Sequence, residues 1–185
     1  MSLIFNTSAG EEHGGDFYNG VVETSLRLDS ASSQFLSQTL GTTDRQKFTF
    51  SVWIKRTKLG TVQNIFSGGD NSSNNDYWFG FTAADILQFQ NITGSAYNIQ
   101  VTTARRFRDT SSWYRETLTV GHQLQNDELA SVNLAGSHKI GILSYATSQY
   151  LDGYLSDVNF VDGTSLEPSA FGELKKGVWI PINPS

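Results

Sequence analysis

The sequence predicts an all-β chain: a two-sheet antiparallel sandwich preceded by an extended N-terminal arm. Three observations predict it. Apolar and polar residues alternate with a period of two along several short runs. Clusters of Gly, Asn, Asp and Ser separate those runs. Helical periodicity is almost absent.

Residues 1–20 differ from the rest of the chain. Gly10, Gly14, Gly15 and Gly20 are interspersed with Glu11, Glu12, His13 and Asp16. Glycine loses the most backbone freedom on ordering, so the segment reads as an arm rather than a packed element. Leu3, Ile4 and Phe5 form a short apolar hook within it. The hook is expected to tether the chain to a partner; the alternative is an edge strand added to its own domain.

The domain proper is expected over residues 21–185. Leu26 and Leu28 alternate with polar neighbours, and Phe35 and Leu36 come after a turn. The clearest strand is Lys47–Lys55. Phe48, Phe50, Val52 and Ile54 fall on one face, which is expected to point inward, and Thr49, Ser51, Trp53 and Lys55 on the other. Further strands are expected at Gln63–Ser67, Tyr77–Phe81, Ile86–Gln90, Tyr97–Thr102, Trp113–Val120, Lys139–Leu143 and Tyr150–Val161. Gly68-Gly69-Asp70-Asn71 and Thr93-Gly94-Ser95 are turn signals between them. One short helix is expected at Glu167–Leu174, with Ser165 as its cap.

Composition narrows the function. A chain of 185 residues with 38% hydrophobic residues suits one domain with a buried core. Cysteine is absent, which excludes a disulfide framework, a thiolate nucleophile and a zinc–thiolate site. The net charge of −5 argues against nucleic acid as a partner. Local basic clusters at Lys55, Arg56 and Lys58, and at Arg105, Arg106 and Arg108, read as solvated turns. No run approaches the roughly 18 apolar residues of a membrane span, so no membrane partner is expected. The first residues lack the features of a secretory signal. Sequons at Asn6, Asn71 and Asn91 therefore read as incidental.

Phe48–Lys55, Ser112–Tyr114 and Asp152–Phe160, in that order, resemble a concanavalin A-like (laminin G-like) jelly roll. Phe48-Thr-Phe-Ser-Val-Trp-Ile-Lys55 resembles the family's aromatic-rich strand. Ser112-Trp113-Tyr114 resembles the strand start after the central hairpin. Asp152-Gly-Tyr-Leu-Ser-Asp-Val-Asn-Phe160 resembles the closing strand, with Ile140-Gly141 before it. The match departs from the family at 121–136, where the segment is short and polar; either the sandwich is trimmed there or Leu129–Leu134 forms the strand in degenerate form. The two ends are similar to jelly-roll proteins of tailed bacteriophages: Met1–Gly10, and Phe160–Glu173 together with Gly177-Val-Trp179. That resemblance implies a virion structural protein, a capsid decoration or a tail- or fibre-associated module. It would be assembled in the host cytoplasm beside other virion proteins, as a homo-oligomer or in many copies. The alternative is a lectin-like module that recognises a host surface glycan.

Catalysis is not expected. Glucanases of this fold need two carboxyls at a fixed separation on one strand. Asp152, Asp157 and Asp162 are five apart, which in a continuous strand puts successive members on opposite faces. The chain has no Gly-x-Ser-x-Gly elbow and no phosphate loop. Asp70, Ser72, Asn74 and Asp76 offer oxygen ligands that loosely resemble a calcium loop, so calcium is the only cofactor weighed against none. They lack the sharp-turn Gly and the distal Glu of an EF-hand. Among the aromatics, Trp53, Tyr77, Trp78, Tyr97, Trp113 and Tyr150 are candidates to stack on sugar rings. Tyr77 and Trp78 are the preferred pair because they adjoin the polar loop.

Overall fold

A computed structural model describes residues 2–4, 24–120 and 131–182. The strands run in chain order as β1 (Ser2–Ile4), β2 (Leu26–Leu28), β3 (Leu36–Leu40), β4 (Phe48–Arg56), β5 (Gln63–Ser72), β6 (Asn75–Phe81), β7 (Ile86–Thr93) and β8 (Ala96–Arg106). They continue as β9 (Tyr114–Val120), β10 (Gly136–Ile140), β11 (Gly153–Asp162), β12 (Gly172–Lys175) and β13 (Val178–Pro181). The expected two-sheet antiparallel sandwich is the observed one. One sheet orders its strands β3-β10-β5-β6-β7-β8. The other runs β11-β4-β9, and β1 and β2 pair along the remaining edge of β11. Every pairing is antiparallel.

The core forms where the two apolar faces meet. Phe48, Phe50, Val52 and Ile54 of β4 all point inward and are fully buried. Phe50 stacks flat on Phe66, with ring centroids 4.6 Å apart, and meets Phe79 edge-on at 5.9 Å. Phe160 joins the cluster from β11, 5.3 Å from Phe66. Such aromatic contacts each add to the burial term that drives the sheets together.

The other face of β4 is buried as well, which a period-two reading assigns to solvent. Thr49 and Ser51 are both inaccessible because residues 163–182 fold back across this sheet. The Thr49 hydroxyl donates to the Thr164 carbonyl at 3.0 Å and accepts from the Leu166 amide at 2.8 Å. Arg115 donates to the Phe171 carbonyl at 2.8 Å and to the Ser51 hydroxyl at 2.8 Å.

Several expectations are corrected. The helix at Glu167–Leu174 shrinks to a 3₁₀ turn at Pro168–Ala170, and its last residues enter β12 of the β12–β13 hairpin. Lys176 and Gly177 both adopt positive φ, 51° and 82°, the geometry of a two-residue hairpin turn. Of the two alternatives left open at 121–136, no strand forms over the described residues 131–134, which make a turn. Arg56 does not lie on a solvated turn. It is 0% exposed at the sandwich rim, hydrogen-bonded to the Phe107 carbonyl and paired with Asp85.

Candidate functional site

The outer face of the six-stranded sheet is divided into a covered half and an open half. The segment after β10, residues 141–152, folds over β10, β5 and part of β6. Ile142 and Leu143 are buried in this cover. Its hydrogen bonds reach outward-facing residues beneath. The Ser67 hydroxyl donates to the Ile142 carbonyl at 2.6 Å, and the Asn64 side chain donates to Gln149 at 2.8 Å. Lys139 Nζ donates to the Ser144 carbonyl at 2.5 Å. The Ser144 hydroxyl donates to Asp76 Oδ1.

Over β6, β7 and β8 the same face carries amides and aromatics. Strand register puts Trp78, Gln90 and Gln100 in one row across three strands. Asp76, Ile92 and Tyr97 form the row on one side, and Gly80, Gln88 and Thr102 the row on the other. Successive same-face residues are about 7 Å apart along a strand and neighbouring strands about 5 Å apart. Trp78 is half-buried and Gln100 is exposed. Tyr97 is 67% exposed, and Tyr145, on the covering segment, is 41% exposed. Burial raises the Tyr145 hydroxyl pKa, with smaller contributions from Asp76 and Tyr97, so Tyr145 lies near both at the boundary between cover and open rows. Gln88 donates to Gln90 at 3.2 Å, tying the two amides into a ladder.

This arrangement separates the preferred stacking pair. Successive residues of a strand point to opposite faces. Trp78 faces outward. Tyr77 is 1% exposed and lies in the core, 5.1 Å from Phe66 and 5.7 Å from His138. Tyr77 therefore cannot stack on an external ring, which corrects that assignment. The tight fit around it is visible at Gly68, where a Cβ would come within 2.8 Å of the Tyr77 ring and 2.9 Å of His138. Of the other candidates, Trp113 packs edge-on to Tyr154 at 6.5 Å. Trp53 sits on the other sheet, beneath the C-terminal segment's partner Arg115.

The four proposed calcium ligands each make hydrogen bonds within the chain. Asp70 accepts from the Ser72 amide at 3.0 Å, from the Ser72 hydroxyl at 2.5 Å and from Asn75 at 2.7 Å, so it closes its own hairpin turn. Asn74 accepts from the Ser95 hydroxyl at 2.9 Å in the next hairpin. Asp76 is buried under the cover, and its Oδ2 has no hydrogen-bond partner. Among the described residues no three His, Asp or Glu side chains cluster as a metal site. The three spaced aspartates are also scattered. Asp152 accepts from Ser30 at 2.8 Å, Asp157 sits at the β11 bulge 3.8 Å from Arg115, and Asp162 accepts from Asn133 at 2.7 Å.

Leu3 and Ile4 take the edge-strand alternative, pairing with Phe160 and Asn159 of β11. Phe5 and the rest of the arm lie outside the described residues.

Two carboxyls are tuned by burial. Desolvation pushes Asp76 up to about 7 against the opposing bonds from Ser144 and the Tyr77 amide. Desolvation likewise pushes Glu116, which faces inward from β9, up to about 7 despite nearby Arg105. Raised values mean that the folded state prefers the protonated forms. Their contribution is fully present below about pH 4 and is lost as pH rises through about 7. The thermal midpoint should therefore be higher at pH 5.5 than at pH 8, and Asp76→Asn should flatten that slope. A midpoint that rises across this interval contradicts the assignment.

Neither a known protein family nor any curated protein matches the chain in sequence. Solved structures match it in fold. The chain is similar to domain 4 of AbnA, a GH43 extracellular arabinanase from Geobacillus stearothermophilus, in complex with arabinotriose. The TM-score is 0.58 at 15% identity, covering 91% of this chain and 84% of that one. It is similar to the CBM40 of Ruminococcus gnavus IT-sialidase bound to α2,6-sialyllactose. The TM-score there is 0.50 at 11% identity, covering 72% of this chain and 95% of that one. It also resembles part of NanB sialidase from Streptococcus pneumoniae, with a TM-score of 0.51 at 10% identity. That match covers 83% of this chain but only 29% of the sialidase. These similarities show the fold. Two of the three structures carry a bound saccharide.

Proposed function

We propose that the chain is a carbohydrate-binding β-sandwich module that holds a saccharide on the open half of its six-stranded sheet. The observation that carries this reading is the outward row Trp78–Gln90–Gln100, flanked by exposed Tyr97 and Tyr145. An indole offers a flat apolar face to the C–H side of a sugar ring. Side-chain amides present a donor and an acceptor side by side, which matches neighbouring hydroxyls. The saccharide-bound structures of the same fold support the reading. On this reading the chain acts by binding and has no catalytic step. The test is calorimetric titration with a panel of oligosaccharides. Trp78→Ala should lose binding to whichever member the native protein takes, while its far-UV spectrum is unchanged. Unaltered binding in that variant contradicts the site.

The phage setting is part of the proposal and rests on the resemblance of the two chain ends. A module of this kind, carried in several copies on a capsid, tail or fibre, would gain from many weak sugar contacts acting together. Peptide mass spectrometry of purified particles tests this, and absence of the chain from the particle overturns it.

A further inference from the structure

Within that reading, we infer that the platform selects neutral saccharides and discriminates against carboxylated ones. The inference depends on the glycan-binding proposal and adds the class of ligand. The charge inventory of the sheet carries it. Across β7 and the outward part of β8 that borders Trp78, the residues on this face are the buried Gln88 and Ile92, the half-buried Gln90 and the exposed Tyr97, Gln100 and Thr102, none of them an acidic or basic residue.

Recognition of a sugar carboxylate calls for a cation placed to make charge-assisted hydrogen bonds. Two cations occupy outward positions on the strands of this sheet. Lys139 is in the Trp78 row, two strands away across Ser67. Its ammonium is held under the cover by the Ser144 carbonyl and lies 5.7 Å from the Phe35 ring centre. Arg106 pairs with Ile86, two same-face steps from Gln90, or about 13 Å along the strand. It donates to the Ala84 carbonyl at 2.8 Å. The acidic residue next to Trp78 on its own strand is Asp76, which is buried under the cover and bonded to Ser144, so it presents no charge to the open face. A carboxylate brought onto this face would lose its water and meet amides, with no cation placed to pair with it. Hydroxyls, by contrast, suit the half-buried Gln90 amide, which the buried Gln88 braces, and the exposed Gln100 amide.

The experiment titrates the full chain with arabinotriose, cellotriose, maltotriose and lactose, and with α2,6-sialyllactose and trigalacturonate as acidic counterparts. At least one neutral member should bind about tenfold or more tightly than either acid. That binding should weaken in both Tyr97→Ala and Gln100→Ala, whose wild-type side chains are exposed and whose removal leaves the core untouched. An acidic member that binds as tightly as every neutral one, and weakens in the same two variants, overturns the neutral class but leaves the glycan platform standing. If no member binds, or if binding ignores both variants, the platform and the class fall together.

Discussion

Asp85→Ala should destabilise the protein by about 3–5 kcal/mol, the cost expected when one partner of a buried ion pair is removed. Asp85 sits in the turn between β6 and β7 and concentrates donors from three segments. Its Oδ1 accepts from the Gly60 amide at 2.8 Å and from Arg56 at 3.2 Å, and its Oδ2 accepts from Arg108 at 3.0 Å. Burial alone would raise the Asp85 carboxyl, but those donors hold it below the usual carboxylate range. Arg56 has no access to water. Its guanidinium lies 4.1 Å over the Phe81 ring, and desolvation lowers its own pKa despite Asp85. Without the carboxylate, Arg56 is a buried charge with only the Phe107 carbonyl as partner. Asp85 also adopts φ 62°, so alanine adds backbone strain. Asp85→Asn separates the two effects, because asparagine tolerates that conformation while lacking the charge. Chemical denaturation should show Asn to be strongly destabilising as well. A loss below about 1 kcal/mol in both variants contradicts the account of a buried ion pair.

Phe50→Ala should cost a comparable amount, about 3–5 kcal/mol. Phe50 is fully buried at the centre of β4 and bridges the two sheets through its flat contact with Phe66 and its edge contact with Phe79. Removing the ring leaves a cavity that neighbouring strands, fixed by their ladders, cannot close. An unchanged denaturation midpoint would mean that this face of β4 is not the one that holds the sheets together.

β4 also shows how far the sequence could be read. Its alternation was legible because every second residue is large and apolar, and one face of a strand is set by parity alone. The burial of Thr49 and Ser51 was not legible, because it depends on a segment more than a hundred residues later folding across them. The β12–β13 hairpin left a weak local mark in Lys176-Gly177, which a helix-cap reading of Ser165 overrode. Parity could have separated Tyr77 from Trp78: Tyr77, Phe79 and Phe81 form one aromatic stripe, leaving Trp78 on the other face. The rest of the platform was hidden for a different reason. Gln90 and Gln100 meet Trp78 only through register between strands, and Tyr145 arrives on a loop from elsewhere in the chain. Residue type at single positions carries none of that information. The candidate calcium loop illustrates the converse. Its oxygens are close in sequence, yet Asp70 and Ser72 bond each other while Asn74 and Asp76 turn to Ser95 and Ser144.

Whether saccharide is held on the open half of the six-stranded sheet is tested most directly by the footprint of a bound oligosaccharide on the labelled protein, read by nuclear magnetic resonance. The Trp78 indole N–H and the side-chain amides of Gln90 and Gln100 should shift together as the sugar is added. The backbone amides of β7 and β8 should move with them, and those of β4 and β9 should stay still. Shifts confined to the opposite sheet, to the Asp70–Asp76 hairpin or to the covering segment 141–152 would contradict a saccharide site on this face.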